Sequence, residues 1–327
     1  MSVVGRKMTL GYGKETTRNT AVASASKFLA WTELEIDPVI EFDDDQSAFG
    51  QIEGMLKREH IRQKVEGSLT SKLDVSLIGN WLHHLYGSST SAQDGTTGAY
   101  THTFQRVLNG SEHPTFTLFA KRGVEGQRKW RGCQVKSLEI NITEGEATTM
   151  VEFNGLQETS ESSITETLAK PVTPLLLKNL NVTYASAVSG LLAGTAVKVR
   201  NLNIKWDKNL QDDVASGTLY MNDYHTTNFS CEITMNLVTR TSAEIDAFLA
   251  NAKIAWRFNI EAQNLSSLGS SILKPRLSVI VPPSSLELVH TVALDEVIMS
   301  EVKIKPEFSV SDNFLVLVGL QNTEVSY

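Results

Sequence analysis

The residues that could do chemistry in this sequence are scattered. Seven histidines are present: His60, His83, His84, His102, His113, His225 and His290. His83 and His84 form the one adjacent pair, and neighbours on a helix point about 100° apart, so the two cannot readily chelate one ion. The pair is read as one half-buried and one solvated imidazole. The run Asp43-Asp44-Asp45 lacks the alternating ligands and closing glutamate of an EF-hand loop. It is read as a solvated turn between strands, with Asp212 and Asp213 in a second acidic turn. Cys133 and Cys231 have no second cysteine or histidine at ligand spacing and are read as two buried thiols. There is no GxSxG elbow. The glycines of "GYGKETT" (Gly11 to Thr17) lack phosphate-loop spacing and a preceding strand. Glu139 and Glu152 sit on segments read as neighbouring strands. A glycan hydrolase would need such a carboxylate pair, but surface strands often carry these charges. The sequence therefore predicts no enzyme, no metal and no cofactor.

One basic run, Ala120 to Gly132, places Lys121, Arg122, Arg128, Lys129 and Arg131 around Trp130. Basic residues interleaved with an aromatic can bind nucleic acid. The chain as a whole is acidic, with a net charge of −7, which gives no global pull toward phosphates. A hairpin turn or a charge-complementary protein contact is the reading taken. The composition is 41% hydrophobic and 20% charged, too apolar for general disorder. No apolar run is long enough to span a bilayer, and no h-region opens the chain, so neither membrane nor secretion is expected.

The elements that would position these residues are written twice. "NGLQETS" from Asn154 is echoed by "VGLQNTE" from Val318, with Gly155 matched to Gly319. Pro114 matches Pro275, Leu69 matches Ile233, and "ELEID" (Glu33 to Asp37) matches "NLNIK" (Asn201 to Lys205). The echoes fall in the same order at similar offsets, which argues for duplication. Each half begins with a strand (Leu34–Glu41; Val199–Trp206) and an acidic turn. A strand region follows (Ile61–Leu73; Thr226–Val238), then a short helix. In the first helix Leu77, Trp81, Leu82 and Leu85 share a face and Gly87 can close it. The second would start at Ser242 and bury Ile245, Phe248 and Leu249. A further strand follows in each half (Thr115–Lys121; Leu277–Val281). A closing hairpin then pairs Ser137–Thr143 with Ala147–Leu156, and Glu301–Lys305 with Phe314–Gln321. The fold class is mainly β with short flanking helices: two tandem β-sandwich or barrel domains, each with one packed helix. The boundaries are an N-terminal arm at 1–32, domain 1 at 33–160, a linker or second arm at 161–198, and domain 2 at 199–327.

Two segments do not fit a compact sandwich. Residues 11–31 show neither a helical stripe nor strand alternation, and are read as an arm whose partner lies on another chain. Gly87 to Phe104 is long for a loop, and its end, "AYTHTF", reads as one limb of an extended hairpin. Taken together, "GYGKETTRNT", "ASASKFLAWTELEI", "AFGQIEG", "VEGSLTSKL", "GAYTHTF" and "HPTFTLF" resemble the major tail tube proteins of long-tailed, siphovirus-like bacteriophages. The likeness covers most of residues 8–158 and continues more loosely beyond, with Ala30 where a proline is usual.

The resemblance implies a structural virion protein, assembled in the host cytoplasm into the tail. Its rings would stack into a tube through which DNA passes without sequence-specific binding. It implies inter-ring contacts by the arm (Tyr12, Lys14, Arg18, Phe28, Leu29, Trp31) and by the loop (Tyr100, His102, Phe104). Asp43, Asp44, Asp45, Asp212 and Asp213 become candidates for a negative lumen or for charge-complementary contacts. Tape-measure, tail-tip and terminator proteins are the implied partners. Two tube units per chain predict a trimeric ring with pseudo-six-fold symmetry. The alternative is a hexamer in which one half decorates the outside. The competing reading is a tail-tip or adhesin-type binding module with an exposed aromatic cluster such as Trp130 with Tyr100.

Overall fold

The computed structural model describes residues 8–45, 57–106, 113–121, 126–161, 164–165, 167, 175–238, 246, 250–262, 268, 273–294 and 297–327. In chain order the first half holds β1 (Thr9–Lys14), β2 (Lys27–Leu29), β3 (Glu33–Asp45), β4 (Lys57–Lys72), α1 (Val75–Tyr86), β5 (Ser89–Gln93), β6 (Tyr100–Phe104), β7 (Phe116–Lys121), β8 (Gln127–Ile142), β9 (Ala147–Gly155) and β10 (Gln157–Glu161). The second half holds β11 (Leu180–Ala185), β12 (Thr195–Val197), β13 (Val199–Asp207), β14 (Leu210–Asp213), β15 (Asp223–Thr226), β16 (Ser230–Val238), β17 (Ile254–Glu261), β18 (Arg276–Ser284), β19 (Leu286–Leu294), β20 (Val297–Ile304) and β21 (Leu317–Asn322). The expected second helix, with Ser242, Ile245, Phe248 and Leu249, falls outside the described residues.

Eight strands form one continuous antiparallel sheet in the order β3-β4-β9-β8-β13-β16-β20-β19. The joint between the halves is β8 with β13, running from Ile142 opposite Leu202 to Ser137 opposite Asp207. Strict alternation produces its two faces. Ile36, Leu69, Val151, Leu138, Ile140, Leu202, Ile204, Met235 and Val302 point to one side and are buried. Against that side lie α1 and two outer layers. One runs β2-β1-β7-β8, with β10 on the far side of β8; the other runs β12-β11-β17-β18-β21-β6-β5. A single apolar core includes residues of both halves.

The pairing pattern occurs twice. β1 pairs with β2 and β7 as β11 pairs with β12 and β17. The ladder β7–β8 carries a bulge between Phe116 and Leu118, and β17–β18 carries one between Ile254 and Trp256. This topology revises several expected correspondences. β7 is matched by β17, so the Pro114–Pro275 echo does not mark equivalent strands. Leu69 lies opposite Val151 and Leu34, as Met235 lies opposite Val302 and Leu202, so Met235 rather than Ile233 is its counterpart. Gly155 ends β9 while Gly319 lies inside β21. Segment 301–305 pairs with β19 and β16, not with 314–321. Short alternating strands look alike in sequence, and hydrogen-bond partners decide among them.

Helix α1 is closed as its sequence asks. Asp74 accepts from the Ser76 N–H at 3.0 Å, and Gly87 at φ 85° donates its N–H to the His83 carbonyl. Ile78, Trp81, Leu82 and Leu85 are buried, while Leu77 is only partly so. The histidine expectation is corrected: His83 and His84 are both buried. β1 and β7 roof this side of the helix. Pro114 O lies 2.9 Å from His84 Nδ1, so Nδ1 carries the proton and Nε2 accepts from the Tyr12 hydroxyl at 2.6 Å.

The arm is likewise corrected. Residues 9–29 fold onto their own chain, because Tyr12 packs on Trp81, His84 and Phe116. Its two glycines allow the chain to double back. A Cβ on Gly11 would meet Ala25 Cβ at 2.6 Å, and one on Gly13 would meet Val22 Cγ2 at 2.5 Å. Glu15 is buried beyond them and accepts from the hydroxyls of Thr115 and Thr117 and from the Gly132 N–H. Alternation was hidden because glycine fills the positions where apolar side chains would have signalled a strand.

Two outcomes are expected. Gly13→Val should destabilise the fold by about 1–3 kcal/mol through overpacking, read as a lowered denaturant midpoint. Stability should also rise with pH over a wide range. Burial lowers His83 to about 4 and His113 to about 3, so the unfolded chain takes up protons first as pH falls below about 6.5, and stability drops. Burial, followed by the charges of Arg18 and Arg106, lowers Lys208 to about 7. The unfolded chain therefore binds more protons from there up to about 10.5, and stability climbs with pH across that window. Thermal melts from pH 4.5 to 9.5 should show both slopes. His113→Asn should flatten the acid slope and Lys208→Met the alkaline one.

Candidate functional site

The outward face of the eight-stranded sheet is polar by the same alternation that makes its other face apolar. Reading across the strands, Glu35 lies opposite Ser68, Ser68 opposite Glu152, and Glu152 opposite Ser137. One row along, Met150 lies opposite Glu139, Glu139 opposite Lys205, and Lys205 opposite Glu232. Asp37 faces Glu66, and Asn236 faces Glu301. Carboxylates therefore outnumber the lysines of this face, which include Lys64, Lys72, Lys136, Lys205 and Lys303, with Lys136 standing 3.7 Å from Glu152. Lys303 is engaged by Glu232 at 3.1 Å and Glu287 at 3.7 Å, which raises its pKa. Burial pulls Lys64 down, but hydrogen bonds to Glu66 and Asp212 outweigh it and hold its pKa above the usual value. Two shallow depressions lie on this face, one lined by Glu35, Asp37, Glu66 and Glu152, the other by Asn141, Asn203, Asn236 and Glu301. No cluster of three or more potential metal ligands occurs among the described residues.

The structure brings few of the sequence candidates to this face. Asp43, Asp44 and Asp45 lie at the far end of the β3–β4 ribbon, where Asp44 forms a two-pronged contact with Arg58 at 2.7 and 3.0 Å. Asp212 and Asp213 lie on β14. Asp212 reaches Lys64 at 3.1 Å, and Asp213 accepts from the Asn222 side-chain amide at 2.9 Å. The face itself is built by residues the sequence reading did not select for it. The available signal was the polar half of each alternating strand.

Of the arm candidates, Tyr12 and Leu29 are buried within the chain, and Phe28 and Trp31 are half-buried. Arg18 is tied to Asp223 at 2.8 Å and to the carbonyls of His113 and Tyr224. Burial pushes the Asp223 carboxyl up, but the Arg18 hydrogen bonds prevail and hold it below the usual range. Lys14 is exposed. In the long loop, β5 and β6 form a hairpin that adds to β21. His102 and Phe104 are buried there. The His102 ring nitrogens lie 2.8 Å from Ser91 Oγ and 3.0 Å from Asn322 Oδ1. Tyr100 is the loop candidate that reaches the surface.

The exposed aromatic cluster of the binding-module reading is not formed, because Trp130 is fully buried and donates from Nε1 to Glu158 at 3.2 Å. Its basic neighbours are also engaged within the chain: Arg128 with Glu158, Lys129 with Glu161 and Arg131 with Gln157. Glu158 and Glu161 of β10 balance Arg128 and Lys129, while Gln157 offers Arg131 a neutral acceptor.

Fold and face together define a β-rich structural subunit whose eight-stranded run ends at β3 and β19, with no further strand beyond either among the described residues. The chain belongs to the phage tail tube protein family, whose family model matches residues 5–294. A search of curated proteins found no match.

The charge of the face sets an expectation for DNA. At low salt the purified protein should leave duplex DNA unretarded in a gel. A Glu35→Lys, Glu152→Lys, Glu232→Lys triple variant should retard it, with the effect fading as salt rises. Retardation by the unaltered protein would contradict a phosphate-repelling face.

Proposed function

We propose that this chain polymerises into rings that stack to form the tail tube, the conduit through which DNA leaves the virion. The observation that carries the reading is the continuous eight-stranded sheet, polar and acidic on one face and ending at β3 and β19 with no further strand among the described residues. A long open edge is an aggregation hazard in a monomer, and joining edge to edge around a ring removes it. An acidic wall withholds counter-charge from phosphates, so DNA slides rather than binds. Assembly would take place in the host cytoplasm, with tape-measure, tail-tip and terminator proteins as partners at the tube's core and ends.

The repeated pairing pattern supports an internal duplication, with one tube unit on each side of the β8–β13 joint. Three copies would then supply 24 strands, three times the eight of one chain. With strands about 4.8 Å apart and tilted about 40°, such a barrel is about 48 Å across its backbone, or about 38 Å inside its side chains. Two copies would leave about 22 Å, barely the width of a duplex, and six would leave about 86 Å. A lumen sized for DNA favours three. A hexamer with one half outside the wall fits poorly, because both halves share one sheet.

Contacts between rings fall to the exposed parts of the arm around Lys14, to the β5–β6 hairpin near Tyr100, and to the β3–β4 ribbon. The β4–β9 ladder ends at the Val65–Gly155 pair, and the ribbon beyond it exposes Ile40, Phe42 and Ile61. A two-stranded ribbon is marginal alone, and a neighbouring ring would cover these side chains. The test is cryo-electron microscopy at high protein concentration. Stacked rings of three chains are expected. Rings of six would overturn the count, and a dispersed monomer under all conditions would overturn the tube.

A further inference from the structure

Away from the acidic face, a cavity of about 140 Å³ lies where the end of α1 meets the residues after β6, the residue before β16 and the loop between β20 and β21. Tyr86, Phe229, Phe314 and Val316 in its wall are buried, while Phe308 is 47% exposed. The cavity is closed toward the core and opens beside Phe308. The loop that forms its lip is braced within itself. The Ser309 N–H donates to Phe314 O at 3.0 Å, and the Asn313 N–H to Ser309 O at 2.8 Å, with Asn313 in the left-handed region at φ 61°. The Gln105 side-chain amide donates to Asn313 O at 2.8 Å and ties the lip to the end of β6. Backbone hydrogen bonds thus hold the cavity in shape before anything enters it.

Two polar atoms in the wall are buried without a partner: the Tyr86 hydroxyl and Arg106 Nε. Buried donors are nearly always paired, so two unpaired ones facing one cavity call for an acceptor there. The neighbouring Trp206 Nε1 is also unpaired, but an indole N–H only donates and cannot take the phenol's proton. The Arg106 guanidinium lies over the Phe229 ring, 5.2 Å from its centroid, and no carboxylate pairs with it among the described residues. The surroundings add positive charge. Lys208 and His113 are buried nearby, and burial first, then neighbouring cations that include Arg106, lowers both. His113 Nδ1 likewise lacks a partner. This corner of the molecule therefore offers donors and positive potential, and an anion would answer both.

We propose that the cavity binds a carboxylate carried on one small apolar group, with the carboxylate taken by Arg106 and the Tyr86 hydroxyl and the apolar group held among Phe229, Phe308, Phe314 and Val316. Size limits the apolar part, since a cavity of about 150 Å³ takes up one benzene. One ring or a chain of a few carbons fits, and a nucleotide or a lipid does not. A guanidinium edge beside a hydroxyl suits the two oxygens of a carboxylate. A phosphate would turn its remaining oxygens toward phenylalanine rings, where they find no donor. The site stands apart from the acidic face and does not depend on the tube reading.

Phenylacetate is the probe, read by saturation-transfer NMR on the full chain and by the rise in melting temperature that a ligand of the folded state gives. At millimolar concentration it should bind, and the neutral phenylacetamide should bind at least about tenfold more weakly, the loss of a hydrogen-bonded charge. Inorganic phosphate should not displace it. Arg106→Leu should lose phenylacetate by at least about tenfold. Tyr86→Phe should weaken it severalfold while the ligand-free protein melts no lower, because the hydroxyl has no partner to lose. Should Arg106→Leu fail to fold, Tyr86→Phe and the amide comparison carry the test. Acetylated glycyl-phenylalanine with a free carboxylate separates the sources. Tighter binding than phenylacetate assigns the site to a polypeptide end, and weaker binding to a free acid. No binding of phenylacetate, equal binding of the amide, displacement by phosphate, or undiminished binding by the folded variants would overturn the proposal.

Discussion

The antiparallel ladder between β8 and β13 is the contact on which the rest of this structure depends. It makes one eight-stranded sheet of the two halves, which also meet where β21 pairs with β6 and share one apolar core. It covers Leu202, Ile204 and Trp206, and full burial of such side chains contributes about 1.5–3 kcal/mol each. It also fixes the direction in which the sheet grows. Because β8 ends one set of four strands and β13 begins the next, the sheet's two ends are unlike each other.

Around this sheet the chain arranges its polar groups according to the cost of desolvation. Charges on the outward face stay wet and lean acidic. Those drawn inward find partners: Glu15 three donors at the end of the arm, Arg18 the Asp223 carboxylate and two carbonyls. Lys208 is the outlier, fully buried with its Nζ 3.2 Å from the His84 carbonyl and no acidic partner among the described residues. It lies just past the end of β13, where the second half meets the helix of the first. The arm's role follows from the same rule. Tyr12 brings its hydroxyl to a neutral histidine, so the segment that looked unable to build a core supplies part of one.

Much of the fold was legible in single strands. Alternation marked β3, β4, β9, β13 and β16 closely, and the stop of α1 was read from Gly87, while its cap Asp74 was not. The repeat was legible too, though its residue matches were not. Pro114 and Pro275 precede strands of similar pattern that occupy different places in the two halves. β1, β11, β17 and β19 were missed, since glycines, small residues or continuous apolar runs conceal a period of two. The acidic face was overlooked for a related reason. Asp43 to Asp45 stand together in the sequence, whereas Glu35, Glu152 and Glu232 come together only across strands.

The sequence by itself determined the alternating strands β3, β4, β9, β13 and β16 and the stop of α1 at Gly87. Each of these depends on residues within a few positions of one another. Only the tertiary structure decided which strands are neighbours, that His83, His84 and Trp130 are buried, and that the arm folds back on its own chain. Those outcomes turn on backbone hydrogen bonds and packing between residues tens to hundreds of positions apart. The choice among look-alike strands is made there by register and burial, which local periodicity does not encode.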